Sequence, residues 1–192
     1  MLRFGRHSAR VLVTAILAVG LVRHLRAGNE VGMGPKIIER PAFAVVGLIT
    51  RTTNAREMTP DGVIGKQWMR LMKENLLAQI PNKADDNIVA VYTDYANDEN
   101  GEYTYVLGAR VTTTEKIPDG MGSRTVPAGR YAVYTSEKGP AQKVVPAAWK
   151  RVYETPKSTP AGVRVYRADY ELYDERARNP EESIVELYVG VK

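Results

Sequence analysis

The sequence contains no cysteine, and its only two histidines, His7 and His24, lie within the first 24 residues. The absence of cysteine excludes disulfides, thiolate metal ligands, a cysteine nucleophile and a lipid-modified cysteine anchor. Beyond residue 24, the absence of histidine also excludes a Ser-His-Asp triad, a histidine general base and an ordinary zinc site. Acid–base chemistry in this part of the chain therefore depends on aspartate, glutamate, lysine or tyrosine.

An excess of charge of one sign is confined to the N-terminus. The 192 residues carry a formal net charge of +5, and residues 1–30 alone hold five arginines against one glutamate. The rest of the chain holds 22 lysines and arginines against 21 aspartates and glutamates. This nearly neutral body argues against nucleic acid as a direct partner, and its length predicts one ordinary globular domain.

Residues 11–22 (VLVTAILAVGLV) form an uncharged apolar run. A spanning helix needs about 20 apolar residues, so the run fits the hydrophobic region of a signal peptide better. Arg23 and Arg26 after the run favour a short membrane anchor instead. The third interpretation is that the true start is Met33. We expect residues 1–30 to be a signal peptide or membrane-associating anchor of an exported or anchored protein, with a cytoplasmic location as the alternative, and residues 36–192 to be the domain.

Beyond residue 36, a series of four segments occurs twice in the same order. The first series is a β-rich stretch at 37–53, an amphipathic helix that begins near Thr59-Pro60-Asp61, and two strands at 88–95 and 102–113. The apolar positions expected on the buried face of this helix are Ile64, Trp68, Leu71, Met72 and Leu76.

The second series is a strand at 129–136, a helical stretch from Gly139 to Tyr153, and strands at 163–173 and 183–191. Pro146 within the helical stretch predicts a kink or a start nearer Val145.

The two series share residues as well as order. Each helix carries a tryptophan, Trp68 or Trp149, and each third segment carries Val-Tyr followed by Asp-Tyr, with one extra residue in the second copy that predicts a bulge. We interpret this as a duplicated strand–helix–strand–strand module with halves at about 36–113 and 124–192. The predicted fold class is α+β, with antiparallel sheets around a central ligand cleft between the halves.

Eleven tyrosines and two tryptophans stand against only two phenylalanines. Tyrosine and tryptophan join an apolar body to a polar tip, which suits a ligand pocket. Glu171 is the strongest candidate, because a carboxylate flanked by Tyr170 and Tyr173 is costly unless a cationic ligand compensates it. The same desolvation would raise its pKa and suit it to general acid–base work. The alternative is a surface glutamate, or one paired with Arg164 or Arg167.

Strand alternation bears on where these side chains point. Without a bulge, Asp169, Glu171 and Tyr173 share one face of their strand, and Tyr166 and Tyr170 lie on the other. The acidic pairs at 85–86 and 181–182 are typical of solvated turns, so we expect no metal and no cofactor.

The domain resembles the GyrI-like effector-binding domain, which also occurs at the C-terminus of AraC-type and MerR-type multidrug-sensing regulators. The likeness spans residues 36–192. It rests on residues 88–95 (IVAVYTDY), 101–111 (GEYTYVLGARV), 126–135 (VPAGRYAVYT) and 169–174 (DYELYD), with Gly139 and Trp149.

The resemblance implies a small-molecule-binding protein for amphipathic, cationic or aromatic compounds. It implies that Glu171 meets the cation inside an aromatic cage, with ligand-binding residues Trp68, Tyr105, Tyr134, Trp149 and Tyr173. Because about 35 residues precede the domain, we expect no helix-turn-helix segment and a stand-alone binding protein. Some relatives of this fold hydrolyse small electrophilic compounds with the same kind of glutamate and others bind DNA gyrase, so both functions remain alternatives.

Overall fold

Eight strands form a single antiparallel sheet in the computed structural model, which describes residues 34–192. They are β1 (Lys36–Arg40), β2 (Phe43–Thr52), β3 (Ile88–Thr93), β4 (Tyr103–Val111), β5 (Gly122–Val126), β6 (Gly129–Thr135), β7 (Arg164–Tyr173) and β8 (Glu186–Val191). The α-helices are α1 (Asn54–Glu57), α2 (Ile64–Lys73) and α3 (Ala141–Glu154), and short 3₁₀ helices span Leu76–Gln79, Pro160–Gly162 and Glu175–Ala177.

The apolar run at residues 11–22 lies outside the described residues. Within residues 34–192, no helix is both long enough and apolar enough to cross a bilayer.

The strand order is β1-β6-β8-β7-β3-β4-β2-β5, which is symmetric about the pairing of β3 with β7. Each half of the sheet repeats one arrangement, since β3, β4 and β2 of the first series correspond to β7, β8 and β6 of the second. The edge strands are exchanged, because β1 pairs with β6 and β5 pairs with β2. The α+β fold class is thus confirmed, and the expected antiparallel sheets are joined into one.

The start of α2 differs from the prediction at Thr59-Pro60-Asp61, because α2 begins at Ile64. The backbone N–H groups of Val63 and Ile64 donate to the carboxylate of Glu57, each with a contact of 3.0 Å. A carboxylate at this position satisfies free N–H groups and complements the helix dipole. The cap of α2 is therefore supplied by the preceding helix and not by the local Thr-Pro-Asp sequence.

Helix α3 runs from Ala141 through Pro146 to Glu154, close to the helical stretch predicted from Gly139 to Tyr153, and the alternative start nearer Val145 is wrong. Proline lacks the N–H that would bond to the carbonyl group four residues earlier. The missing hydrogen bond lies near the start of the helix. There the N–H of Ala141 donates to the carbonyl oxygen of Pro180 at 2.8 Å. The first turn is therefore fixed by the loop before β8 as well as by its own hydrogen bonds.

The sheet separates two apolar layers. On one face the sheet curves onto itself, so that Phe43 on β2 meets Tyr170 on β7 with ring centroids 5.3 Å apart, although β3 and β4 lie between these strands. The other face carries the helices, with Leu71 of α2 packed near Tyr105 and with Val152 of α3 in a second cluster. The helices rest over the two halves of the sheet, and the central strands β3 and β7 lie between them.

Candidate functional site

A cavity of about 1250 Å³ lies between α2, α3 and the central strands. Pockets for drug-sized ligands occupy roughly 300–1,000 Å³, so this volume suffices for a large organic molecule. Most of its lining is aromatic or apolar, and includes Trp68, Met69, Met72, Tyr92, Tyr103, Trp149 and Tyr173. Met72 was expected on the buried face of α2, but it is 62% exposed, because that part of the helix borders the open cavity.

Glu171 lies on β7 at the base of this cavity and is only 2% exposed. Its Oε1 accepts hydrogen bonds from the hydroxyl of Tyr92 at 2.7 Å and from Nε1 of Trp149 at 2.6 Å. Its Oε2 accepts a third from the hydroxyl of Tyr173 at 2.7 Å. The carboxylate is thus fixed by groups from β3, α3 and β7.

Every hydrogen-bond donor to Glu171 is a neutral group. Within residues 34–192, no lysine or arginine forms a salt bridge with it. Burial raises the pKa of Glu171, and the hydrogen bonds from Trp149, Tyr173 and Tyr92 oppose that rise. Burial and the nearby carboxylate also raise the pKa of Tyr92 and Tyr173 well above the ordinary tyrosine value. When Glu171 is ionised, its charge is therefore stabilised by dipoles alone.

A second buried carboxylate, Asp169, forms an ion pair with Arg164. Its Oδ2 lies 2.5 Å from Nη2 of Arg164 and accepts a 2.7 Å hydrogen bond from Tyr95. Its Oδ1 accepts the backbone N–H of Gly190 on β8 at 2.8 Å. No group of three or more acidic side chains in the described part of the chain is arranged to hold a metal ion. The groups described here offer charge pairing, hydrogen bonding, aromatic contact and a buried carboxyl group.

Strand β7 is irregular where the sequence predicts a bulge, since its pairing with β8 shifts between Arg164 and Asp169. Tyr166 within it has a φ of 51°, in the left-handed region that a bulky residue rarely adopts. The bulge brings the Tyr166 ring to 5.6 Å from Tyr95 and under the guanidinium of Arg164 at 4.5 Å. The alternation that places Tyr166 on the face opposite Glu171 holds only for a strand without a bulge, so it does not apply at this residue.

Four of the six predicted site residues border the cavity: Glu171, Trp68, Trp149 and Tyr173. The ring of Trp68 meets that of Tyr173 edge to face at 4.8 Å. The other two predicted residues, Tyr105 and Tyr134, are not among the residues that line it. Tyr105 is fully buried with its ring 5.2 Å from that of Tyr92. Tyr134 packs under the end of α3, where its hydroxyl bonds Thr155 Oγ1 at 3.0 Å.

Sequence reasoning missed Tyr92, Tyr95, Tyr103 and Arg164, which all line the cavity. The signal that could have found the first two is the repeated Val-Tyr, Asp-Tyr pattern, because β3 and β7 occupy equivalent places in the two halves. In the sheet these strands are neighbours, and Tyr92 lies opposite Asp169. Their adjacency brings side chains from both copies of the pattern to one site.

Residues 36–191 match the family Cass2, described as "Integron-associated effector binding protein". The chain belongs to this family. It is also similar to YobU of Bacillus subtilis, named as a candidate transcriptional regulator protein, with 33% identity over 76% of this chain and 90% of YobU. The transcriptional regulator BrlR of Pseudomonas aeruginosa is 32% identical over 95% of this chain but only 63% of its own length. The chain thus spans less than two thirds of BrlR.

Solved structures share the fold. The integron cassette protein VCH_CASS2 of Vibrio cholerae superposes with a TM-score of 0.65 and 25% identity, over 83% of this chain and 97% of that protein. SAV2435, solved with bound tetraphenylphosphonium, superposes with a TM-score of 0.67 and 19% identity, over 83% of this chain and 94% of SAV2435. These findings confirm the resemblance to GyrI-like effector-binding domains, and this Cass2 chain is a small-molecule-binding effector domain.

Proposed function

We propose that this protein binds small organic cations with aromatic or apolar substituents, and that Glu171 supplies the counter-charge. The observation that carries the proposal is the pairing state of Glu171, a 2% exposed carboxylate whose three hydrogen-bond donors are all neutral. Burying an ion without an opposite charge is costly, and a cationic ligand would relieve that cost.

The walls of the cavity suit the rest of such a ligand. The rings of Tyr92 and Trp149 lie 5.1 Å apart beside the carboxylate, and Trp68 and Tyr173 form a second aromatic pair. Ring faces attract cations as well as apolar groups, by about 0.5–2 kcal/mol for each well-placed contact. Met69 and Met72 border the cavity on α2, and methionine adapts to ligands of different shape. We therefore expect the cavity to accept ligands of different shapes and to select those that carry a positive charge.

The comparisons support the same class of ligand. SAV2435, a protein of similar fold, holds tetraphenylphosphonium, a bulky aromatic cation. YobU and BrlR are named as transcriptional regulators, which is consistent with a domain whose occupancy serves as a signal.

The test is a thermal-unfolding series with two probes of the same shape and opposite charge, tetraphenylphosphonium and tetraphenylborate. A ligand at one hundred times its Kd stabilises a protein by about 2.7 kcal/mol, which for a chain of this size is about 5–10 °C in Tm. We expect that shift with the phosphonium and the wild-type protein, and none with the borate.

The decisive variant is Glu171→Gln, which keeps the shape of the side chain and removes its charge. The matched control is Glu175→Gln, an exposed carboxylate at the margin of the same cavity. We expect the phosphonium shift to disappear in Glu171→Gln and to persist in the control. Equal shifts in both variants, or an equal response to the borate, would contradict the proposal.

Hydrolysis of a small electrophilic compound is the second candidate function. The observation that favours it is a carboxyl group of raised pKa beside tyrosine hydroxyls, which are the components of a general base and a hydrogen-bond donor. Turnover of an epoxide or activated ester by the wild type, absent in Glu171→Gln, distinguishes this function from binding alone.

A further inference from the structure

The opposite face of the sheet holds a second cavity of about 260 Å³. Its lining is Arg40, Pro41, Phe43, Arg110, Tyr170, Leu172 and Tyr188. Because side chains alternate along a strand, Glu171 of β7 faces the first cavity while its neighbours Tyr170 and Leu172 face the second. The two cavities are thus separated by the thickness of the sheet.

The charged side chains that line the second cavity are basic, whereas the first cavity has the buried carboxylate of Glu171 at its base. It is lined by two arginines and by no carboxylate. Arg40 forms no salt bridge within residues 34–192, and its Nη2 donates to the hydroxyl of Tyr188 at 3.2 Å. Tyr188 in turn donates to Glu186 Oε2 at 2.6 Å. The hydroxyl therefore offers a lone pair to Arg40 and holds its guanidinium at the cavity.

Arg110 approaches from β4. Its Nε and Nη2 bind Asp85, which leaves Nη1 without a hydrogen bond to the described residues. Its guanidinium lies 5.6 Å from the centre of the Phe43 ring. The nearby acids are already paired, since Asp85 binds Arg110 and Glu186 lies 3.1 Å from Arg176. Neither of these acids therefore neutralises the positive charge of Arg40.

The floor of this cavity consists of packed aromatic rings. The rings of Tyr170 and Tyr188 stack in parallel at 4.4 Å, and Phe43 meets Tyr170 edge to face at 5.3 Å. Tyr170 and Tyr188 are 4% and 3% exposed, so neither ring needs to be ordered when a ligand arrives. A small aromatic or aliphatic group could rest on this surface with its polar end toward the arginines.

We propose that this cavity binds a small organic oxyanion, with its carboxylate or phosphate group between Arg40 and Arg110 and its apolar part against Phe43 and Leu172. Guanidinium groups bind these oxyanions through charge-assisted hydrogen bonds. The volume of 260 Å³ lies just below the range of drug-sized pockets, which limits the ligand to a small molecule. This site is independent of the proposed cation site.

The first test is isothermal titration of the full chain with phenyl phosphate and with benzoate, at ionic strength held constant with sodium chloride. We expect saturable binding of at least one probe, weakened about tenfold or more in Arg40→Gln. The matched control is Arg130→Gln, an exposed arginine on β6 that does not line the cavity. Glu171→Gln should bind the anion as the wild type does. Absence of saturable binding, or an equal loss in Arg130→Gln, would overturn the proposal.

The second test locates the anion in the wild-type protein without any substitution. In amide-resolved NMR, we expect the tighter probe to shift the backbone signals of residues 40 and 42–43 and of residues 170–172. The indole N–H signals of Trp68 and Trp149, which report on the first cavity, should stay unchanged. If the indole signals shift and the others do not, the anion occupies the first cavity and the proposal is wrong.

Discussion

Arg164 and Asp169 form an ion pair in which the two side chains are only 8% and 0% exposed, with Nη2 and Oδ2 2.5 Å apart. Asp169 lies two residues from Glu171 on the same strand, yet only Asp169 is paired with a cation. The guanidinium of Arg164 is also enclosed by the rings of Trp149, Tyr153 and Tyr166. This arrangement neutralises an arginine that lines the cavity, while Glu171 forms no salt bridge within residues 34–192.

Breaking this ion pair should be costly. We expect Asp169→Asn to lower the free energy of unfolding by about 3–5 kcal/mol, because Arg164 would stay buried without a counter-charge. Asparagine keeps an oxygen for the N–H of Gly190, so the loss reports mainly on the ion pair. Urea unfolding measures it. The double variant Asp169→Asn/Arg164→Met should be more stable than Asp169→Asn alone, and strictly additive losses would contradict this account.

Cation affinity should fall as the pH is lowered, because only ionised Glu171 attracts the ligand. Burial raises the pKa of Glu171, so the loss should begin above the pH range of an exposed glutamate, whose pKa is about 4.3. The tyrosines Tyr92, Tyr105 and Tyr173, which interact with this carboxylate, stay neutral throughout, since their pKa values are raised well above the usual one. Measuring the Kd of tetraphenylphosphonium, which does not titrate, from pH 5 to 8 checks this. An equal slope in Glu171→Gln would assign it to other acids.

The stability of the empty protein should depend on pH in the opposite direction. A carboxyl group whose pKa is higher in the folded than in the unfolded state makes the folded protein bind more protons between the two pKa values. Its contribution is fully present below the unfolded pKa and is lost as pH rises through the raised folded pKa. Urea unfolding should therefore show Glu171→Gln to be more stable than the ligand-free wild type at pH 8. A less stable variant at pH 8 would show that the hydrogen bonds outweigh desolvation.

We expect the hydroxyl of Tyr92 to lower the pKa of Glu171 and to have little effect on the rest of the fold. Tyr92→Phe removes one of the hydrogen bonds that lower the pKa of Glu171, so the pH midpoint for cation binding should move upward. The comparison is Tyr134→Phe, which removes a hydroxyl from a similarly buried ring bonded to Thr155. That variant should leave the midpoint unchanged. Equal shifts in the two variants would indicate a general effect on stability.

Gly47 and Gly108 face each other where β2 pairs with β4. A Cβ atom on Gly108 would overlap the carbonyl oxygen of Val46, and one on Gly47 would overlap that of Leu107. We expect Gly108→Ala to destabilise the protein by about 3 kcal/mol, since the obstacle is backbone that cannot rotate away. Gly65→Ala in α2 has open space around it and should stabilise by about 0.5–1 kcal/mol. Thermal unfolding of both variants tests the contrast.

The parts of the fold that local pattern controls were predictable. The two strand–helix–strand–strand series and the irregularity in β7 appear in the spacing of apolar residues and in the repeated Val-Tyr, Asp-Tyr segments. The division of the first β-rich stretch into β1 and β2, the short helix α1 and the strand β5 were not predicted. The start of α2 was not predictable, because its cap is the carboxylate of Glu57 from the preceding helix. The start of α3 at Ala141, five residues before Pro146, was not fixed by local pattern either, because the N–H of Ala141 is held by the distant carbonyl group of Pro180.

For the candidate site, too, the sequence predicted some residues and not others. Local sequence made Glu171 a candidate, because a carboxylate flanked by Tyr170 and Tyr173 is costly to bury without a cation, and the family resemblance favoured the same residue. Local sequence could not separate Trp149, which donates to Glu171, from Tyr134, which faces away under α3. Both are aromatic residues of the second half, and their residue type alone does not show which of them reaches the carboxylate.

The amino-acid sequence by itself determined the α+β class and the repeated strand–helix–strand order, since these depend on periodicity and residue type. Tertiary structure decided which of two neighbouring acids is neutralised. The bulge at Tyr166 brings Arg164 to Asp169, and the pairing of β3 with β7 brings Tyr92 to Glu171. Charge compensation depends on distances of a few ångströms between residues far apart in the chain, and only the folded chain sets those distances.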